Sequence, residues 1–152
     1  MTKRSPLSTP RLFTVGSANR TLPLVSAIVA DLAPLWEEVT GMRNRIQYLV
    51  ENRDVEEGNP YSDELTAMQQ KLARDSQRVE GYIDELRQLG VEFKGPHGHV
   101  GFPTMLDGRL VYLSWQVGEP EVSHWMDLDA EFADRQSLLA GSVPQEDRWP
   151  SS

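Results

Sequence analysis

The run LVSAIVADLAPLWEEVTGMRNRIQYL, residues 24–49, decides the fold. Its apolar positions Leu24, Ile28, Leu32, Leu35, Val39, Met42, Ile46 and Leu49 step by 4, 4, 3, 4, 3, 4 and 3, which holds one stripe on a helix for several turns and gives a heptad, coiled-coil-like repeat. A second row beside it, Leu22, Val25, Val29 and Trp36, ends before Arg43, where Arg43, Asn44 and Gln47 take its place. The helix is therefore broad and apolar at its start and narrow at its far end. Thr14 is a candidate cap. The sequence also suggests a short turn through Ala18-Asn19-Arg20, with Pro23 in a first helical turn where its missing N–H has no partner. Pro34 lies inside the stripe and predicts a kink or break between Ala30 and Pro34.

A matching stripe follows. Leu65, Met68, Leu72, Asp75, Val79, Tyr82, Leu86 and Leu89 step by 3, 4, 3, 4, 3, 4 and 3, with Asp75 the one polar member. Ser62 is a candidate cap, with Asp63 and Glu64 in the first turn, and Gly90 supplies a left-handed stop. The link Asp54 to Pro60 is short and acidic, so helices at about 15–54 and 62–89 should fold back as an antiparallel hairpin.

From Val91 the period changes to alternation, and strands are expected over about 91–126. Asp107-Gly108 marks a two-residue hairpin turn between Thr104-Met105-Leu106 and the long strand Arg109 to Val117. In that strand Val111, Leu113, Trp115 and Val117 face one way, with Leu110, Tyr112, Ser114 and Gln116 opposite. Gly118-Glu119-Pro120 turns the chain into a strand at Glu121 to Trp125, and one helical turn is expected near Ala130 to Arg135. The fold class is α+β, with a small antiparallel sheet packed on the broad end of the hairpin. Residues 1–11 read as a flexible basic arm, 12–140 as one domain and 141–152 as a flexible tail.

Composition narrows the function. The 152 residues contain no cysteine, which excludes disulfides, thiol nucleophiles and thiolate metal sites. Residues 1–20 carry four basic and no acidic side chains, residues 21–117 nine and fifteen, and residues 118–152 two and eight, for a net −8. An acidic body opposes phosphate binding, so no nucleic-acid partner is expected. There is no apolar run of membrane-spanning length and no signal-like h-region, so the expectation is a cytoplasmic protein with no membrane contact. Glycine-rich nucleotide loops are also absent.

The segments Phe13-Thr14, Ala18 to Val25, Gly90, Phe102-Pro103, Asp107-Gly108-Arg109, Val111-Tyr112-Leu113, Trp115, Gly118-Glu119, Trp125 and Arg135-Gln136, in that order and spacing, resemble the bacterial "domain of unknown function 2203" family over about residues 12–139. The resemblance carries no reaction with it. The family pattern ends in a Trp-His pair, whereas Trp125 is followed by Met126 and preceded by His124. The pattern also has an acidic residue before the Phe-Pro pair, where this chain has Gly101.

Two constellations hold candidate chemistry. His97 and His99 with His124 form a possible zinc ligand set with an open position, although close histidines in a glycine-rich turn also arise without metal. Asp107, Arg109, Glu119, His124 and Arg135, with Trp115 and Trp125, could converge on a sheet rim. There the arginines would clamp an anion, the tryptophans would face a ligand, and Glu119 or His124 would move a proton. The plainer reading makes Asp107 a turn residue, pairs Arg135 with a nearby carboxylate and places the tryptophans in the core. Two functions follow. One is a protein-binding or assembly module that dimerises or meets a partner through the hairpin, with a small-ligand surface on the sheet rim. The other is a small hydrolase- or lyase-like enzyme, metal-dependent or not, using Arg109, Glu119, His124 and Arg135.

Overall fold

A computed structural model describes residues 11–52 and 60–138. The basic arm before Arg11, most of the Asp54–Pro60 link and the tail from 141 onward fall outside the described residues. The order is α1 (Val15–Asn52), α2 (Pro60–Gln88), β1 (Glu92–Gly95), β2 (His99–Leu106), β3 (Arg109–Gln116), β4 (His124–Asp127) and β5 (Gln136–Ser137). At about 1.5 Å per residue α1 is about 57 Å long and α2 about 44 Å.

Thr14 caps α1 reciprocally with Ser17: Ser17 N–H donates to Thr14 Oγ1 at 3.0 Å, and Thr14 N–H donates to Ser17 Oγ at 2.9 Å. Each hydroxyl satisfies a donor that the helix start leaves open. With that cap in place, the turn expected at Ala18-Asn19-Arg20 is absent, and Pro23 sits well inside the helix. No break occurs at Pro34 either. Ala30 and Pro34 are both exposed, so water can serve the carbonyl that the proline leaves without a donor. The second helix begins at Pro60, which places Ser62 inside it rather than at its cap.

The hairpin's burial is lopsided. Val25, Val29 and Leu32 are fully buried in one core with Leu86 and Val91, and with Val100, Phe102, Val111, Leu113 and Trp115 of the sheet. Farther out, Ile46 and Leu65 are buried but stand apart from that core. The broad-to-narrow gradient of the sequence thus becomes a helix pair covered by sheet at one end only. Leu24, which opens the apolar stripe, is 54% exposed, although Ile28, Leu32, Leu35 and Val39 farther along the same stripe are buried. Asp75, the polar member of the seam, is buried and takes hydrogen bonds from Lys71 Nζ at 2.6 Å and Arg78 Nη1 at 3.5 Å. Chiefly the Lys71 hydrogen bond holds its carboxyl below the usual aspartate range, against a smaller opposing effect of burial.

The sheet is an antiparallel meander in the order β1-β2-β3-β4-β5. Its inner face carries Val100, Phe102, Val111, Leu113, Trp115 and Trp125, as alternation requires. Val117, expected on that face, lies beyond β3 and is 45% exposed. The N-terminal segment closes the free edge of β2. Phe13 N–H donates to Pro103 carbonyl at 2.7 Å, Thr104 Oγ1 donates to Phe13 carbonyl at 2.6 Å, and the Phe13 ring meets Phe102 edge-on at 5.1 Å. The Pro103 carbonyl points away from β3, so the missing N–H of Pro103 falls on the edge side, where a ladder loses least.

Gly41 and Gly81 lie in the helices, and a Cβ added at either would meet nothing within 4 Å. Neither closeness nor a left-handed backbone requires glycine there. Gly41→Ala and Gly81→Ala should each raise unfolding free energy by about 0.5–1 kcal/mol, read as a higher urea midpoint at unchanged slope. A loss of stability at either site would show an unrecognised close contact.

Candidate functional site

The loop after β3 gathers a dense polar cluster. Gly118 takes a positive φ of 101°, and Glu119 then folds back on the strand: its Oε1 accepts from Gln116 N–H at 3.0 Å, and its carbonyl accepts from Trp115 Nε1 at 2.9 Å. Val122 N–H donates to Asn19 Oδ1 at 2.7 Å, which ties the loop to α1. After β4 the chain makes a 3-10 turn at Phe132–Asp134 and returns as β5, with Leu138 N–H donating to Ser123 carbonyl at 2.9 Å. Residues 130–138 form a strap across the end of the sheet.

Arg135 fastens the strap. Its Nη2 lies 2.8 Å from each carboxylate oxygen of Glu119 and 2.7 Å from His124 Nδ1, and its guanidinium lies 4.6 Å from the centre of the Phe132 ring. The arginine side chain is 8% exposed and the glutamate 20%. A guanidinium has no acceptor, so His124 Nδ1 must bear the lone pair, and the proton of the neutral ring sits on Nε2. Ser123 Oγ, 3.1 Å away, also donates to Nδ1. Burial, and then the Arg135 charge, push the His124 pKa down, with Glu119 opposing. An imidazole held this way is poorly placed to take a proton from Ser123, because the nitrogen that would accept it already faces a cation.

His99 lies deeper. It is 3% exposed, its Nε2 is 2.7 Å from the buried Ser114 hydroxyl, and its ring meets Phe132 edge-on at 4.7 Å. Burial first, then the charges of Arg135 and Lys94, depress its pKa to about 4. His97 is exposed, with its ring 5.7 Å from Phe132. All three histidines therefore meet the strap. Among the described residues no group of three or more His, Asp or Glu is placed to hold a metal ion.

Asp107 and Arg109 sit at the opposite end of β3, which itself spans about 23 Å at about 3.3 Å per residue. Asp107 and Gly108 have φ of 51° and 82° and make the exposed hairpin turn. Arg109 pairs with Asp127, both half-exposed, and its guanidinium lies 5.8 Å from the Trp125 ring centre. Glu119, His124 and Arg135 are thus brought together, while Asp107 and Arg109 are not. Trp115 and Trp125 are 2% and 5% exposed, with their rings in the core. Trp125 Nε1 and Arg135 Nε are buried without a partner among the described residues. An open cleft of about 440 Å³ lies between α1 and the β3–β4 loop, walled by Leu22, Pro23, Trp115 and Pro120, with Glu119 and Glu121 also lining it.

Sequence reasoning missed Asn19, Ser114 and Phe132. Asn19 falls in the stretch read as a turn. Alternation places Ser114 opposite the helices, but nothing local reveals that the strap buries it.

A continuous two-helix hairpin and a five-stranded meander, braced by an internal arginine, define an α+β protein with no cysteine chemistry. Residues 11–138 match the family described as "Uncharacterized conserved protein (DUF2203)", and the chain belongs to that family. No curated protein and no solved structure matches it. Among the described residues no helix is long and apolar enough to cross a membrane.

Proposed function

We propose that this is a protein-binding or assembly module of the bacterial cytoplasm, in which the outer half of the hairpin pairs with a second copy of the chain in coiled-coil fashion. The observation that carries this reading is the change in burial along α1. Under the sheet, Val25, Val29 and Leu32 are fully covered, whereas near the far end Tyr48 is 64% and Val50 47% exposed, with Leu49 half-buried between them. Tyr48 and Val50 stand about 200° apart around the helix, one on each side of Leu49, and exposed apolar side chains beyond the core mark association surfaces. The polar cluster supports the same reading, because Arg135 Nη2 is committed to Glu119 and His124. The enzyme alternative needed Arg109 beside these groups, and Arg109 lies at the far end of β3. The acidic composition argues against a nucleic-acid partner.

Light scattering across a wide concentration range should give a dimer mass. Tyr48→Ser with Val50→Ser should shift it toward monomer while circular dichroism keeps the wild-type helix content. A wild-type monomer mass throughout that range would overturn the reading.

A further inference from the structure

On the outer face of the sheet, under the strap, lies a second cleft of about 190 Å³, lined by Lys94, Pro96, His99, Met126, Glu131 and Phe132 among others. Its existence follows from local sequence. Lys94 sits where the β1–β2 register shifts between Phe93 and Gly95, and its ammonium rests 3.9 Å from the Tyr112 ring centre. Tyr112 lies across Gly101, where a Cβ would come within 2.8 Å of the ring. The glycine therefore makes room for the ring, and the ring supports the lysine.

The cleft combines three kinds of surface. His99 and Met126 are each 3% exposed, and with Phe132 they offer an apolar base carrying one imidazole. The His99 nitrogen turned to Ser114 is committed, which leaves Nδ1 for a ligand. Two opposite charges line the space, Lys94 and Glu131, yet neither joins any ion pair among the described residues. Charges of opposite sign around a small concave space, unpaired with each other, suit a guest that carries both signs.

We propose that this cleft binds a small zwitterion of the α-amino-acid type with an aliphatic side chain. The carboxylate meets Lys94, the ammonium meets Glu131, the side chain lies on Met126 and Phe132, and His99 Nδ1 gives one hydrogen bond. At about 30 Å³ per water the space equals about six waters, which suits a guest of leucine size. The site is independent of hairpin association, and its failure would leave that reading untouched.

The test is an NMR titration of the isotope-labelled full chain with L-leucine. The expected result is saturable shifts confined to His99, Met126 and the strap, with a Kd on the order of 1 mM for so few atoms. Two probes share its carbon skeleton: 4-methylpentanoate lacks the ammonium and 3-methylbutylamine lacks the carboxylate. Each should bind about tenfold more weakly or worse. Lys94→Met should weaken leucine and 4-methylpentanoate but not the amine, and Glu131→Gln should weaken leucine and the amine but not the acid. Both changes are at charged groups outside the core, so the fold should survive them. Absence of saturable shifts, shifts scattered over the surface, or 4-methylpentanoate binding as well as leucine would each overturn the proposal.

Discussion

Arg135→Ala is expected to lower the unfolding free energy by about 3 kcal/mol, because removing one member of a buried ion pair leaves the other charged and unpaired. Glu119 would keep only the Gln116 N–H for its carboxylate, and the strap would lose the contact joining it to the β3–β4 loop and to His124 at once. For a domain of this length the melting temperature should fall by roughly 10 °C. Arg109→Ala provides the comparison. Its pair with Asp127 is 56% and 43% exposed, and such pairs contribute about 0–1 kcal/mol. Arg135→Lys should rescue only part of the loss: one nitrogen, Nη2, makes all three contacts, but the shorter lysine gives up the guanidinium packed over the Phe132 ring. Urea denaturation of the three variants decides the matter, and equal small losses for Arg135→Ala and Arg109→Ala would show that the strap is not held electrostatically.

The second large effect is acid sensitivity through His99. The unfolded chain takes up an imidazole proton near the ordinary value of about 6.5, but the folded protein resists it until about 4. Between those values the unfolded state binds more protons, so stability is full above about 6.5 and falls as the pH drops toward 4. At about 1.4 kcal/mol per pH unit the loss approaches about 3 kcal/mol. His124, depressed for the same main reason, adds in the same direction. Lys94, His97 and Arg135 sharpen the resistance of His99 to protonation, and Glu119 opposes it. His99→Gln should flatten the stability profile between pH 6.5 and 4 while costing some stability at neutral pH. A profile that kept its slope in this variant would assign the acid sensitivity to other groups.

Much of the fold was legible because it rests on period. The stripes through Ile28 to Leu49 and Leu65 to Leu89, the Asp107-Gly108 turn and the alternation of Val111, Leu113 and Trp115 are local patterns, and the structure keeps them. The prolines misled, because local chemistry discourages them in helices while tertiary burial of Val25, Val29 and Leu32 keeps α1 continuous through both positions. Strand β5, of two residues, has no pattern to read; it exists because Arg135 and Leu138 are anchored on either side. The candidate site was half legible for a similar reason. Glu119, His124 and Arg135 meet because β4 and β5 run side by side, whereas Arg109, at the start of β3, turns to Asp127 at the other end of β4, a choice that residue type alone does not reveal.

The lopsided cover of α1 also sets a timetable for synthesis. The residues that seal its buried face include Trp115, Val122 and Leu138, and all leave the ribosome long after Val25. At about 5–20 residues per second, the apolar side of α1 waits roughly 5–20 s for its lid. At first α2 shields it along one seam, and Val91, Val100 and Phe102 follow before β3. A nascent chain halted before β3 would present Val25, Val29 and Leu32 to any chaperone or neighbouring chain within reach, so a helix made before the sheet is secured only after it.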